Sequence, residues 1–360
     1  MIPDEVRPPL ISIIIPVYNG AALLSRCLEA VAASDYDRYE CIVVDDGSTD
    51  DSRTVAARFP VLMLELGEGP RGPAYARNRG ANVAQGDILF FIDADVMVAP
   101  DTLTRIAATF ARYPRLAAVF GSYDGSPAVS SPVSQFKNLF HHFVHQTGSP
   151  DAVTFWSGCG AVRRAVFLAM GGFDEKRYPR PSIEDIELGY RMTAAGHKIM
   201  LNKEIQVKHL KRWTLRGMVK SDVFDRAIPW TLLILRDRHL PNDLNLRLSQ
   251  RVSMALAYGL LLYPMLLAIL YLLSVPPSIW MVVPWLSVIL CIGLLNRDLY
   301  AFFVRKRGLA FLLVAFPLHI LYYIYSGLAF VWGAALHLLG KQNRRRAADS
   351  GMWGPGAEMT

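Results

Sequence analysis

The sequence predicts an α/β domain built on a mostly parallel sheet, followed by an amphipathic segment and then membrane-spanning helices. Three observations lead there. Short apolar runs near the N-terminus alternate with amphipathic helical stretches, the pattern of strand–helix–strand units with right-handed crossovers. Two of those runs stop at aspartates. Beyond about residue 245, charged residues give way to long uncharged stretches.

Leu10 to Ile15 is an apolar run closed by Pro16, as expected of a strand buried on both faces. Leu23, Leu24, Cys27, Leu28 and Val31 then mark one face of a helix. Cys41 to Val44, Val61 to Leu64 and Ile88 to Ile92 are the next strands, with helices near Ala74 to Ala84 and Asp101 to Arg112. Ala117 to Gly121 is a further short strand, and Ser126 to Pro132 a loop. A helix is expected from Glu184 to about Ala195, capped by Gly196. Trp213 to Arg236 interleaves bulky apolar and charged residues, which suits a helix in a membrane interface.

The remaining chain reads as membrane. Of the 360 residues 52% are hydrophobic, and the mean hydropathy of +0.24 is high for a soluble protein. That surplus sits in three uncharged stretches, the candidate spans 252–275, 279–295 and 309–339. The net charge of +7 gathers beside them, at Lys208, Lys211, Arg212, Arg216, Lys220, Arg305 to Arg307 and Arg344 to Arg346. Basic residues there favour the cytoplasmic face and anionic lipid. No nucleic-acid recognition motif accompanies them, so no nucleic-acid partner is expected. Met1 to Pro9 is polar and proline-rich without an export pattern, which places the first domain in the cytoplasm at the inner (plasma) membrane. Cys27, Cys41, Cys159 and Cys291 are scattered and form neither a zinc spacing nor a disulfide framework.

In open α/β sheets ligands bind beyond the carboxyl ends of the strands, where this sequence places Pro16-Val17-Tyr18-Asn19, Asp45-Asp46 and Asp93-Ala94-Asp95. Carboxylates gathered at one edge repel unless a cation or donors lie among them. Hard oxygen ligands suit Mg²⁺ or Mn²⁺ with substrate phosphates completing the shell.

Motifs in one order extend this reading: Ser12 to Asn19 (SIIIPVYN), Val43 to Thr49 (VVDDGST), Ala76 to Gly80 (ARNRG), Phe91 to Asp95 (FIDAD), Gly171 to Asp174 (GGFD) and Glu184 to Arg191 (EDIELGYR). With them the chain resembles the family 2 glycosyltransferases of the GT-A, Rossmann-like fold, over roughly residues 10 to 213, in the membrane-bound form with C-terminal transmembrane helices. The resemblance implies a nucleotide-sugar site. Pro16, Val17 and Tyr18 match the loop framing the base, Asp46 the carboxylate that accepts the base imide hydrogen and so favours uridine, and Arg77 a basic residue near base and diphosphate. Asp93, Ala94 and Asp95 match the metal and ribose motif, and Asp185, beside Glu184, the general base of inverting members. At the first turn of a helix, the dipole favours an ionised Asp185. Arg212-Trp213 matches the end of the motif that holds diphosphate and acceptor, whereas His209 replaces its usual Gln or Arg and is a candidate metal ligand with Asp93 and Asp95.

The expected organisation is a catalytic domain over 1–212, an interfacial segment over 213–245, a membrane region over 252–339 and a polar basic tail over 340–360. His141, His142 and His145 read as a core or interfacial helix, and Ser157 to Ala161 as a small-residue loop closing over the sugar. The expected activity is inverting transfer of a sugar from a UDP-sugar to a membrane-embedded lipid, such as a polyprenyl phosphate or glycolipid. The alternatives are a processive polysaccharide synthase, for which three spans are few, and a membrane scaffold with an inactive site. A nucleotidyltransferase would carry a Gly-rich basic first loop in place of Pro-Val-Tyr-Asn-Gly.

Overall fold

The computed structural model describes residues 7–67, 69–240, 244, 247–274, 276 and 278–349, with side chains as far as Gly340. The side chains of Arg344 to Arg346 lie outside the described residues, as does most of the tail.

The strands are β1 (Ile11–Val17), β2 (Tyr39–Asp45), β3 (Leu62–Glu65), β4 (Ile88–Ile92), β5 (Val96–Val98), β6 (Leu116–Tyr123), β7 (Asp151–Ala152), β8 (Cys159–Arg163) and β9 (Lys198–His209). They join in one nine-stranded sheet, in the order β3-β2-β1-β4-β8-β6-β9-β5 with β7 on β9. The first four in that order pair in parallel, as their apolar runs predict. β8 then enters antiparallel between β4 and β6, so the sheet is mixed where the sequence suggested a mostly parallel one.

Four strands lie outside the expected set, the short β5 and β7 and the two longer strands β8 and β9. Ser157 to Ala161 does not form a free loop, because β8 begins inside it and crosses the sheet centre. Gly160 permits this: a Cβ there would lie 2.3 Å from the Trp156 carbonyl oxygen and 2.5 Å from the Phe155 ring. β9 was not expected at all. Lys198, Lys203, Glu204 and Lys208 break its apolar pattern, yet Ile199, Leu201, Ile205 and Val207 face the core.

Helices cover both faces. α1 (Ala21–Ala32), α2 (Ser52–Ala56), α3 (Pro73–Val83), α4 (Thr102–Arg112), α5 (Pro132–Thr147), α6 (Arg164–Ala169) and α7 (Glu184–Ala194) complete the domain. Leu24, Leu28, Leu103, Ile106 and Phe110 of α1 and α4 pack against Ile13, Ile15 and Val43. On the other face Ala76, Ala81, Phe167 and Leu188 of α3, α6 and α7 pack against Ile14, Val44 and Phe91.

The chain continues through α8 (Leu215–Lys220), a π-helical turn (Ser221–Ala227), α9 (Ile228–Asp237), α10 (Leu248–Leu272), α11 (Val282–Leu295), α12 (Arg297–Arg307) and α13 (Leu312–Asp349). The expected amphipathic segment is therefore helical. Leu233 of α9 packs with Tyr178, Ile183 and Tyr190 of the domain, while Leu215 and Phe224 stay exposed. Two helices are long and apolar enough to cross a membrane, Leu248–Leu272 and Leu309–Gly340. The expected middle span, 279–295, meets Arg297–Arg307 at a 74° bend, and the two make a third crossing only if taken together. Leu272 and Leu313 are 80% and 81% exposed, bare apolar surface that water would not tolerate over so large a patch. Phe136, Leu139 and Phe140 of α5 pack with Met218, Phe302, Phe303 and Ala315, which seats the bundle on the domain. Within the bundle the Asn296 amide donates to Ser253, and the Tyr323 hydroxyl donates to Gln250 and Asn296.

Candidate active site

The strands β1, β2, β4, β6 and β9 all end on one edge, which collects the polar residues. Asn19 Oδ1, after β1, accepts from the backbone N–H groups of Thr49 and Asp50, tying the first two loops together. Asp45 supports the second loop, accepting from the Ser48 N–H and from Arg53 Nε at 2.8 Å. The turn is tight: Gly47 has φ +80°, and a Cβ there would meet the Gly67 carbonyl at 2.8 Å. Asp46 is buried and accepts from the N–H groups of Arg71 and Gly72 at 3.0 and 2.7 Å. Burial pushes its carboxyl up, and those two donors restrain it. Two bonds leave it lone pairs for a ligand. Pro16 and Val17 close β1, and Tyr18 stands 47% exposed at the lip.

Asp93-Ala94-Asp95 forms the turn from β4 to β5, so its two carboxylates point to different partners. Asp93 Oδ1 receives Arg77 at 2.6 Å. Asp95 Oδ2 lies 3.5 Å from His209 Nε2, because β5 and β9 pair with Val96 opposite His209. The expected three-ligand set thus reduces to a pair, and among the described residues no three His, Cys, Asp or Glu side chains converge. The pair still suits a hard divalent ion. His209 Nδ1 faces Asn138 Oδ1 at 2.8 Å, and with that nitrogen donating, Nε2 turns a lone pair toward a carboxylate. A cation or a proton between them relieves that contact. Although burial raises the Asp95 carboxyl, His209 and Lys211 bring it below its ordinary range.

Arg77 is not an exposed helix arginine. Buried on α3, it bridges Asp93 and Glu184, the latter at 2.9 Å. Its Nε is buried without a partner among the described residues. Burial disfavours its charge, and Asp93, Glu184 and Asp185 together more than restore it.

Asp185 starts α7. Its Oδ2 accepts from the Ser157 N–H at 2.9 Å and the Ser157 hydroxyl at 3.1 Å, while Oδ1 accepts from Ile186. The helix dipole does not decide its state. Burial pushes the carboxyl above its ordinary value, against the opposing pull of the Ser157 N–H and Arg77. Glu184 is raised likewise by burial, with Arg77 opposing. Arg212 is exposed, and Trp213 donates its backbone N–H to Ser134 Oγ, with Lys137 and Lys211 over its ring.

Asn138 and Tyr123, which stacks on His209 with centroids 4.4 Å apart, join the site without a sequence signal, whereas Asn19 belongs to the first motif and Ser157 reads in the sequence only as part of a small-residue loop. Each acts through a partner distant in sequence. His141, His142 and His145 lie on α5 as expected of a core helix.

Residues 12–171 match the family model described as glycosyl transferase family 2. Validoxylamine A glucosyltransferase of Streptomyces hygroscopicus subsp. jinggangensis is 31% identical over 234 residues, covering 54% of this chain and 54% of that protein. A PGL/p-HBAD biosynthesis glycosyltransferase of Mycobacterium tuberculosis is 37% identical over 118 residues, 31% of this chain and 46% of that protein. The chain spans about half the length of these relatives. Among solved structures, the mannosyltransferase PcManGT from Pyrobaculum calidifontis, with GDP-Man and Mn²⁺, aligns with TM-score 0.50 at 19% identity over 91% of this chain and 88% of its own. S. aureus TarS 1-349 with UDP-GlcNAc aligns with TM-score 0.50 at 19% identity, over 90% and 92%. Residues 12–171 thus match a glycosyl transferase family 2 domain, and they fold on a GT-A-like mixed sheet.

Proposed function

We propose that the protein is an inverting, metal-dependent glycosyltransferase that moves a sugar from a nucleotide donor, a UDP-sugar, to a lipid acceptor in the inner (plasma) membrane. The catalytic domain over 1–212 faces the cytoplasm, and the region over 252–339 anchors it. The observation that carries this reading is the convergence of Asp46, Asp93, Asp95 and His209 on one strand edge, with Asp185 joined to that edge through Ser157.

In this reading Asp46, with Tyr18, Pro16 and Val17, holds the base, and Asp93 with Ala94 lies along the ribose. Arg77 and the Arg212-Trp213 pair serve the diphosphate and the acceptor. Asp95 and His209 would hold Mg²⁺ or Mn²⁺, which when bound neutralises the departing diphosphate. Asp185 takes the proton of the acceptor hydroxyl. The hydroxyl oxygen then bonds to the anomeric carbon as the bond to the diphosphate breaks, and one displacement inverts that centre. Burial of Asp185 supports the role, since a base works best when its pKa is lifted toward the working pH.

The test is thermal melting of the full chain in detergent. UDP should raise the melting temperature only with Mn²⁺ or Mg²⁺ present, and Asp95→Asn should abolish that gain. Equal protection in EDTA, or none under any condition, contradicts the site.

A further inference from the structure

Behind Asp185 lies a cavity of about 390 Å³, bounded by the catalytic domain on one side and by α10 and α13 on the other. The π-helical turn forms part of its wall, and turns of this kind recur at functional sites. The turn contributes two charged residues, Asp222 and Arg226. Asp222 is satisfied: Lys137 pairs with one carboxylate oxygen, and the Tyr325 hydroxyl donates to the other at 2.6 Å. Arg226 is different. It is only partly exposed, and among the described residues it has neither a hydrogen bond nor an ion pair.

Asp185 and Asp222 line the same cavity, but Arg226 hydrogen-bonds to neither, and a bound anionic group would supply the charge-assisted bonds its guanidinium lacks. The rest of the wall selects what carries the anion. Met254 of α10 and Tyr322 and Phe330 of α13 line it, and all three belong to the two helices apolar enough to span a membrane. Phe330 is also 45% exposed, so the cavity reaches the outer surface of the bundle. A small soluble anion would use Arg226 and leave this apolar path without purpose, and a neutral lipid would do the reverse. His141, whose Nδ1 is buried without a partner among the described residues, adds a polar atom on the domain side.

We propose that this cavity seats the acceptor and that the acceptor is an anionic amphiphile, with its charged group on Arg226, its reacting hydroxyl toward Asp185 and its apolar chain leaving past Met254 and Phe330. This rests on the reading of Asp185 as the acceptor's base. Its support in Arg226 and the apolar wall is independent of the donor site.

The test is equilibrium binding to the full chain in neutral detergent, with no nucleotide or metal present. The probes are farnesyl phosphate, farnesol and inorganic phosphate. Farnesyl phosphate should bind, and the other two should bind at least about tenfold more weakly, the worth of one charge-assisted bond. Arg226→Gln should weaken farnesyl phosphate about tenfold or more, and Arg226→Lys should recover part of the loss. Ser326→Trp, which fills the lipid side of the cavity, should block it. Unchanged melting in these variants shows that the fold is intact. Equal binding of farnesol, equal binding of inorganic phosphate, or undiminished binding to Arg226→Gln overturns the inference. Because no donor is present, the failure of sugar transfer and the failure of this seat are read separately.

Discussion

Asp185→Asn should lower sugar transfer by roughly 10²–10⁴-fold, the contribution of a positioned general base, while nucleotide binding persists. The amide is close to the carboxylate in shape and still accepts from Ser157, but it cannot take the acceptor's proton. The pH profile gives a second readout. The ionised carboxylate is the active form, so the rate falls as pH drops through the Asp185 pKa. Because burial has raised that pKa, the acid limb should lie above the ordinary aspartate value of about 3.9. Wild-type rates in the variant would remove Asp185 from the chemistry. A limb at the ordinary carboxylate position would place the base elsewhere.

Arg77→Met should cost about 3–5 kcal/mol, the penalty for removing one partner from a buried ion pair, and should abolish transfer as well. The guanidinium joins α3 to the β4–β5 turn through Asp93 and to α7 through Glu184. Without it, Asp93 and Glu184, close to Asp185, lose their counter-charge. Arg77→Lys should restore little, because one ammonium cannot fork to two carboxylates as a guanidinium does. Melting temperature and transfer rate, measured together, decide the matter. A variant melting like the wild type would mean that the bridge carries no structural weight.

The contrast between Asp95 and His209 shows what was legible in the sequence. β4 could be read because both its faces are covered, so Ile88 to Ile92 is an unbroken apolar run ending at Asp93. His209 ends β9, whose lysines and Glu204 hide its period, so its approach to Asp95 depended on a strand pairing that no local pattern announces. Ser157 was hidden for another reason: Gly158 and Gly160 look like loop residues until the close approach of Trp156 and Phe155 makes them necessary. Arg77 was legible as a functional residue but not as a clamp, since Glu184 lies 107 positions away. The three uncharged C-terminal stretches were plain, but the bend at Asn296 was not, and the polar contacts made there reach Ser253 and Tyr323 on other helices.

The central claim is transfer from a nucleotide sugar to a membrane lipid at the Asp95–Asp185 edge. Its most direct measurement is the partition of radiolabel after the purified full chain is incubated with a panel of labelled UDP-sugars, a bacterial membrane lipid extract and Mn²⁺. The account predicts that label from one sugar moves into the organic phase, stops when EDTA is added, and is absent with Asp185→Asn. Label that stays with the nucleotide for every sugar, or that reaches lipid equally well with EDTA or with Asp185→Asn, would contradict it.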